Sequence, residues 1–286
     1  MTIETSSFAS WRSYWDFRRE VTSRRRYLPS DKSKAFLAEL ARTSVTRVRR
    51  IPVGKTLCRA QVAHQDREDK YAGAVAGPAL PDRMIPLADA ASDGRANPEG
   101  IPRLYMAFDR HTAIAEVRPW IGSLVTVAFI KTLKDLNVVD CRSDGDGDRI
   151  FLEGEPGAER EDAVWAHVAR AFREPVLRDD NRAGYAATQL IAELFEREGY
   201  DGIVYGSGFG DDATNIVVFD LAAAEIVAAE IHEVKGVKLD HDEVESPYHV
   251  KKNDVGSTEL YRMVISAIGP VGGSMISLDD NEDEAD

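Results

Sequence analysis

The sequence predicts an α+β chain, with a helical first segment followed by a core of short strands and intervening helices. Three observations carry that prediction. Trp11, Tyr14, Trp15 and Arg18 follow helical spacing, and Phe36, Leu37, Leu40 and Ala41 follow it again, so residues 8–50 read as two helices. Short apolar runs recur between turn residues from residue 56 onwards. Ala186–Arg197 then presents Leu190, Ile191, Leu194 and Phe195 on one helical face.

The elements follow in order. Pro29 and Ser30 break the first segment, and Ser30 or Asp31 suits the N-cap of the second helix. Thr56–Arg59 reads as a short strand after the Gly54-Lys55 turn. Residues 61–100, rich in Ala, Gly, Pro and Asp, read as a long irregular stretch. Arg103–Phe108 reads as a strand. Asp109 suits the cap of a short helix over Thr112–Val117, which Pro119 stops. Leu124–Ile130 and Leu136–Asp140 read as strands, and Trp165–Phe172 as helix. Gly199 is placed to end the Ala186–Arg197 helix. The strands Gly202–Tyr205 and Ile216–Phe219 flank a glycine loop.

Composition bounds the function. With 286 residues and 43% hydrophobic content, the chain can bury a core without disulfide or metal staples. Cys58 and Cys141 form no CxxC pair and fit buried thiols in a reducing compartment. The first residues show no signal-peptide pattern, and no long apolar run suggests a membrane span, so the expectation is a cytoplasmic protein. The net charge is −13, yet residues 1–60 carry 14 Lys/Arg against 5 Asp/Glu. That basic segment reads as a solvated helical surface with an intramolecular or self-association role, and the acidic whole argues against nucleic acid as a partner.

Several motifs fail on their spacing. Asp144, Asp146, Asp148 and Glu155 mimic a calcium loop, but Arg149 stands where the sharp turn needs glycine. Gly206, Gly208 and Gly210 fit neither dinucleotide fingerprint nor phosphate loop, and Tyr205 spoils a nucleophile elbow at Ser207. The six histidines form no metal pair, and no metal is expected.

Three segments remain: Leu57–Ala60, Gly94–Pro119 and Gly199–Ser207, the last closing with Asn215–Phe219. Glu116 sits in an otherwise apolar Ala-Ile-Ala-Glu-Val helix, where small Ala113 and Ala115 leave room for an approaching group. Arg59 ends a strand, and Arg95 stands in a Gly/Asn/Pro loop. Guanidinium groups so placed suit bidentate phosphate or carboxylate recognition. Tyr105 offers a flat face and one hydroxyl.

Taken together these segments resemble the RES domain, over about residues 50–225. Arg59, Glu116 and Ser207 match its Arg, Glu and Ser, and Gly94–Pro119 follows its pattern over a long stretch. The resemblance implies an ADP-ribosyltransferase-like split mixed β-sheet core with flanking helices, around a cleft for NAD⁺. The chain then divides into a helical segment 1–50, a RES domain 51–225, a C-terminal extension 226–275 and a disordered acidic tail 276–286. It also implies a toxin that consumes NAD⁺ as phosphorylase or glycohydrolase, with inorganic phosphate as a candidate acceptor. Transfer of ADP-ribose to a protein and non-catalytic nucleotide binding are the alternatives. A helix-turn-helix antitoxin is the implied partner. Glu116 would stabilise an oxocarbenium-like ribose, with Arg59 and Ser207 completing the catalytic set. Arg59 and Arg95 would hold the pyrophosphate or an attacking phosphate. Tyr105 would stack on nicotinamide or bond the ribose, and Ser207 would bond a phosphate or the ribose. The sequence departs from the pattern at Ala60, where an aromatic often follows the first arginine, and in the long interval between Arg59 and Arg95.

Overall fold

The structure is a computed structural model, and it describes residues 8–71, 73–87, 91–143, 157–174, 182–239, 241, 248–252 and 258–262. The Asp144–Glu155 run and the acidic tail 276–286 lie outside these residues.

Two helices open the chain, α1 (Ser13–Ser23) and α2 (Asp31–Ser44). Ser30 caps α2, its hydroxyl accepting from the Ser33 N–H at 3.3 Å while donating to Glu20 Oε2 at 2.6 Å. Phe17 stacks on Phe36, ring centres 4.8 Å apart, and locks the two helices together. Helix was expected to residue 50, but Val48–Ile51 forms strand β1. Thr43, Val45, Thr46 and Val48 erode helix propensity there, and the neighbouring strand β7 (Leu136–Asp140) offers a ladder from Val48↔Val139 to Ile51↔Leu136.

The core is a mixed α+β fold on one eight-stranded sheet. Its strands are β1, β2 (Thr56–Gln61), β5 (Leu104–Ala107), β6 (Leu124–Thr132), β7, β8 (Gly202–Gly206), β9 (Thr214–Val218) and β10 (Ala224–Glu233). Their order is β1-β7-β8-β9-β5-β2-β6-β10. Only β7 and β8 pair in parallel. Residue alternation along the strands builds two apolar faces. Val139, Ile203 and Val217 face α1, α2 and the helices α5 (Gly157–Arg173) and α6 (Ala186–Arg197), through Phe17, Leu40, Trp165 and Phe195. Val138, Val204, Ile216 and Val218 face the other way, where Met84 packs. Gly199, at φ +88°, ends α6 in the left-handed conformation a side chain would resist.

The stretch expected to be irregular holds regular structure. Strands β3 (Gln65–Asp69) and β4 (Gly73–Gly77) pair as an antiparallel hairpin, and α3 (Pro81–Met84) follows. Nearly every hairpin residue is exposed, so no buried alternation marked it. Strand β10 also lay outside the sequence-read strands. It pairs with β6 along its length, with a bulge between Ile226 and Ala228. These elements form a unit ending at Gly236. The unit from Val237 contains an antiparallel ribbon of β11 (Tyr248–Lys252) and β12 (Thr258–Arg262).

Candidate active site

The sheet is nearly parted between β2 and β5. They share one Cα pair, Cys58↔Ala107, whereas β2 pairs with β6 from Thr56↔Lys131 to Gln61↔Thr126. At this parting lies a cavity of about 500 Å³, lined by Arg59, Arg95, Tyr105, Glu116, Tyr205 and Asn215 among others.

Glu116 is the last residue of α4 (Arg110–Glu116). Asp109 caps α4 as expected, accepting from the Thr112 N–H at 2.9 Å. Beyond Glu116 the chain turns sharply through Arg118, at φ +46°, into Pro119. Two donors converge on one carboxylate oxygen: the Ser207 hydroxyl gives to Oε1 at 2.7 Å and Asn215 Nδ2 at 2.5 Å. Both residues are almost fully buried, at 1% and 3% exposure, so the carboxylate is held by two donors that are themselves fixed in place. Glu116 lines the cavity, and among the described residues its Oε2 has no hydrogen-bond partner.

Arg59 Nη1 donates to the Tyr105 carbonyl at 2.9 Å, across the parting of the sheet. Its Nε is buried and has no hydrogen-bond partner, and no carboxylate pairs with it among the described residues. Burial pushes this guanidinium below its usual pKa, though an arginine remains cationic. Arg95 is held similarly: Nη2 donates to the Glu174 carbonyl at 2.8 Å, and its buried Nε is unpartnered. Arg95 and Glu116 both act on the Tyr205 phenol, whose pKa burial raises far above the usual value. An anion is the missing partner for two such cations.

Two of the expected site hydroxyls are engaged within the protein. Tyr105 lines the cavity, but its hydroxyl is taken up by the loop beside it. The hydroxyl donates to Asn97 Oδ1 at 2.7 Å and accepts from the Ala96 N–H at 2.9 Å, clamping the loop that carries Arg95. Gln189 donates from below to the Gly94 and Asn97 carbonyls. Gly94 is required here, because a Cβ would lie 2.5 Å from the Tyr105 hydroxyl. Ser207 likewise is not a cavity-lining phosphate contact. Its hydroxyl gives to Glu116 and accepts from the Phe209 N–H at 3.1 Å.

Asn215 and Tyr205 carry no expected role from the sequence. The signal for Asn215 is an amide opening the apolar run Ile216–Phe219. Cys58 lines the cavity, but burial raises its thiol pKa, so a resting thiolate nucleophile is disfavoured. Both cysteines are free. Among the described residues no group of three or more His, Cys, Asp or Glu could hold a metal ion, and no described helix is long and apolar enough to cross a membrane.

A family model described as RES domain matches residues 62–242. The chain belongs to the RES-domain family. The match takes in Arg95, Tyr105, Glu116, Ser207 and Asn215, and it runs past 225 to include β10. Arg59 stands three positions before it, on a strand the sheet holds in place. A chain of the crystal structure of the M. tuberculosis MbcT–MbcA toxin–antitoxin complex is similar to this RES protein over 68% of this chain and 92% of its own, at 14% identity and a TM-score of 0.39. No curated protein matches the sequence significantly.

Proposed function

We propose that this RES protein cleaves the nicotinamide–ribose bond of NAD⁺ and acts as an NAD⁺-degrading toxin. The observation that carries the reading is Glu116: a carboxylate pinned through one oxygen by two buried donors, lining a cavity with two guanidinium groups that have no carboxylate partner among the described residues. Membership of the family supports NAD⁺ as the substrate.

The chemistry asks little else of the protein. The C1′–N1 bond breaks heterolytically, its electron pair goes to the pyridinium nitrogen, and nicotinamide leaves neutral, so no general acid is needed. Positive charge builds on the ribose, as in other glycosyl transfers. A fixed carboxylate beside it stabilises that charge without reorganising, and its free oxygen can accept the ribose 2′-hydroxyl. Arg59 and Arg95 supply charge-assisted hydrogen bonds to the diphosphate or to an attacking phosphate. Tyr105, Ser207 and Asn215 are positioning residues in this scheme, the first for Arg95 and the others for Glu116.

Phosphate is the acceptor we favour, because the cavity holds two cations and one diphosphate need not occupy both. A restraining antitoxin belongs to the same reading and rests on the family resemblance alone. The test is product analysis by chromatography after incubation with NAD⁺, with and without phosphate. Nicotinamide together with ADP-ribose 1″-phosphate, formed only when phosphate is present, is expected. Nicotinamide with free ADP-ribose regardless of phosphate makes water the acceptor, and label carried onto a protein makes the chain a transferase.

A further inference from the structure

A second cavity of about 340 Å³ adjoins the first, and Arg59, Gln61 and Tyr105 line both. Its outer wall is built by the long interval between Arg59 and Arg95, through Asp82, Ile85 and Leu87. We infer that this chamber takes the adenosine end of the dinucleotide, so that the interval between the two arginines makes the enzyme selective for dinucleotides over nicotinamide mononucleotide. The inference rests on the reading of Glu116 above.

The chemistry of the walls argues for it. A purine needs apolar surface, and Ile85 and Leu87 provide it beside the Tyr105 ring. A ribose diol is recognised by a carboxylate accepting from its hydroxyls. Asp82 lines the chamber with no ion pair or hydrogen bond among the described residues, and so has that capacity free. The diphosphate joining the two nucleosides must then lie where the chambers meet. Arg59 stands at that junction with its buried, unpartnered Nε. The order Glu116, Arg59, Asp82 would thus follow the order nicotinamide riboside, diphosphate, adenosine.

Met84 anchors this wall. It is 1% exposed and packs in the core on the sheet face opposite the four large helices, so α3 is fixed where Asp82 and Ile85 can face the chamber. Leu87 is 61% exposed, and a change there should leave the fold intact.

The experiment compares initial rates of nicotinamide release from NAD⁺ and from nicotinamide mononucleotide, for the wild type, Leu87→Asp and Asp82→Asn. In the wild type, kcat/KM for NAD⁺ should exceed that for the mononucleotide by at least about tenfold. Leu87→Asp should lower that ratio about tenfold, through a higher KM for NAD⁺. Asp82→Asn should lower it too, and should narrow the preference for NAD⁺ over NADP⁺, since a carboxylate repels a 2′-phosphate. Equal wild-type values, or a ratio unmoved by either variant when both keep the wild-type melting temperature, overturn the inference and leave the Glu116 reading standing. So does a variant that changes only the dependence on phosphate, because the chamber would then hold the acceptor. Release from neither substrate overturns the Glu116 reading and the inference with it.

Discussion

Arg59 illustrates a functional group held against the interest of stability. Its guanidinium is desolvated, one buried N–H lacks a partner and no carboxylate among the described residues balances the charge. Arg59→Met should therefore raise the free protein's stability by about 1 kcal/mol, seen as a higher melting temperature, while nicotinamide release is lost. Asn215 allows a sharper test. Asn215→Asp puts a second carboxylate against Glu116 Oε1, and two such groups cannot both ionise at low cost. The pair should hold a proton near neutrality, so kcat should fall there and recover as pH rises. Asn215→Ala should lower kcat about tenfold or more without that alkaline shift, by loosening the carboxylate. A pH–rate profile separates the two. Arg59, Arg95 and Glu116 were legible as charged groups in apolar or glycine-rich company. The turned-away hydroxyls of Tyr105 and Ser207 were not, because residue type shows what a group can bond and not which neighbour claims it.

Elements set these side chains in place, and glycine decides one of them. Gly94→Ala would drive a methyl group into the Tyr105–Asn97 contact, displacing the loop that presents Arg95. KM for NAD⁺ should rise more than kcat falls. At the other end of the chain, Glu20 joins α1 to α2 by accepting from the Ser30 N–H, the Ser30 hydroxyl and the Ser33 hydroxyl. The bonds from Ser30 lead in lowering its carboxyl from 4.5 to about 2. A carboxyl so lowered stabilises the fold fully above its unfolded pKa and loses that contribution as pH falls through the folded value. The melting-temperature gap between wild type and Glu20→Gln should accordingly shrink from about pH 6 to about pH 3. Capped helices with an apolar stripe were readable, as α2, α4 and α6 show. The β3–β4 hairpin was not, because neither of its faces is buried, and β1 was absorbed into helical periodicity that stops only where β7 offers a ladder.

At the scale of the molecule, the residues matching the family are not a self-sufficient fold. The match begins at residue 62, after β2, yet β2 lies inside the sheet between β5 and β6. Tyr14, Phe17, Phe36 and Leu40 bury themselves against α5, α6 and the sheet, and all precede the match. A fragment of residues 62–242 should be insoluble or lack a cooperative melting transition, whereas the full chain should show one. The parting of the sheet at Cys58↔Ala107 could not be read from the sequence, since it depends on how far apart two strands run once others hold them. The role of Glu116 is tested most directly by nicotinamide release from NAD⁺ by the wild type and by Glu116→Gln, at matched melting temperatures. Expected is turnover in the wild type and a loss of at least about a hundredfold in the variant. Equal turnover in the two proteins would contradict the role given to Glu116 and, with it, the active site built around it.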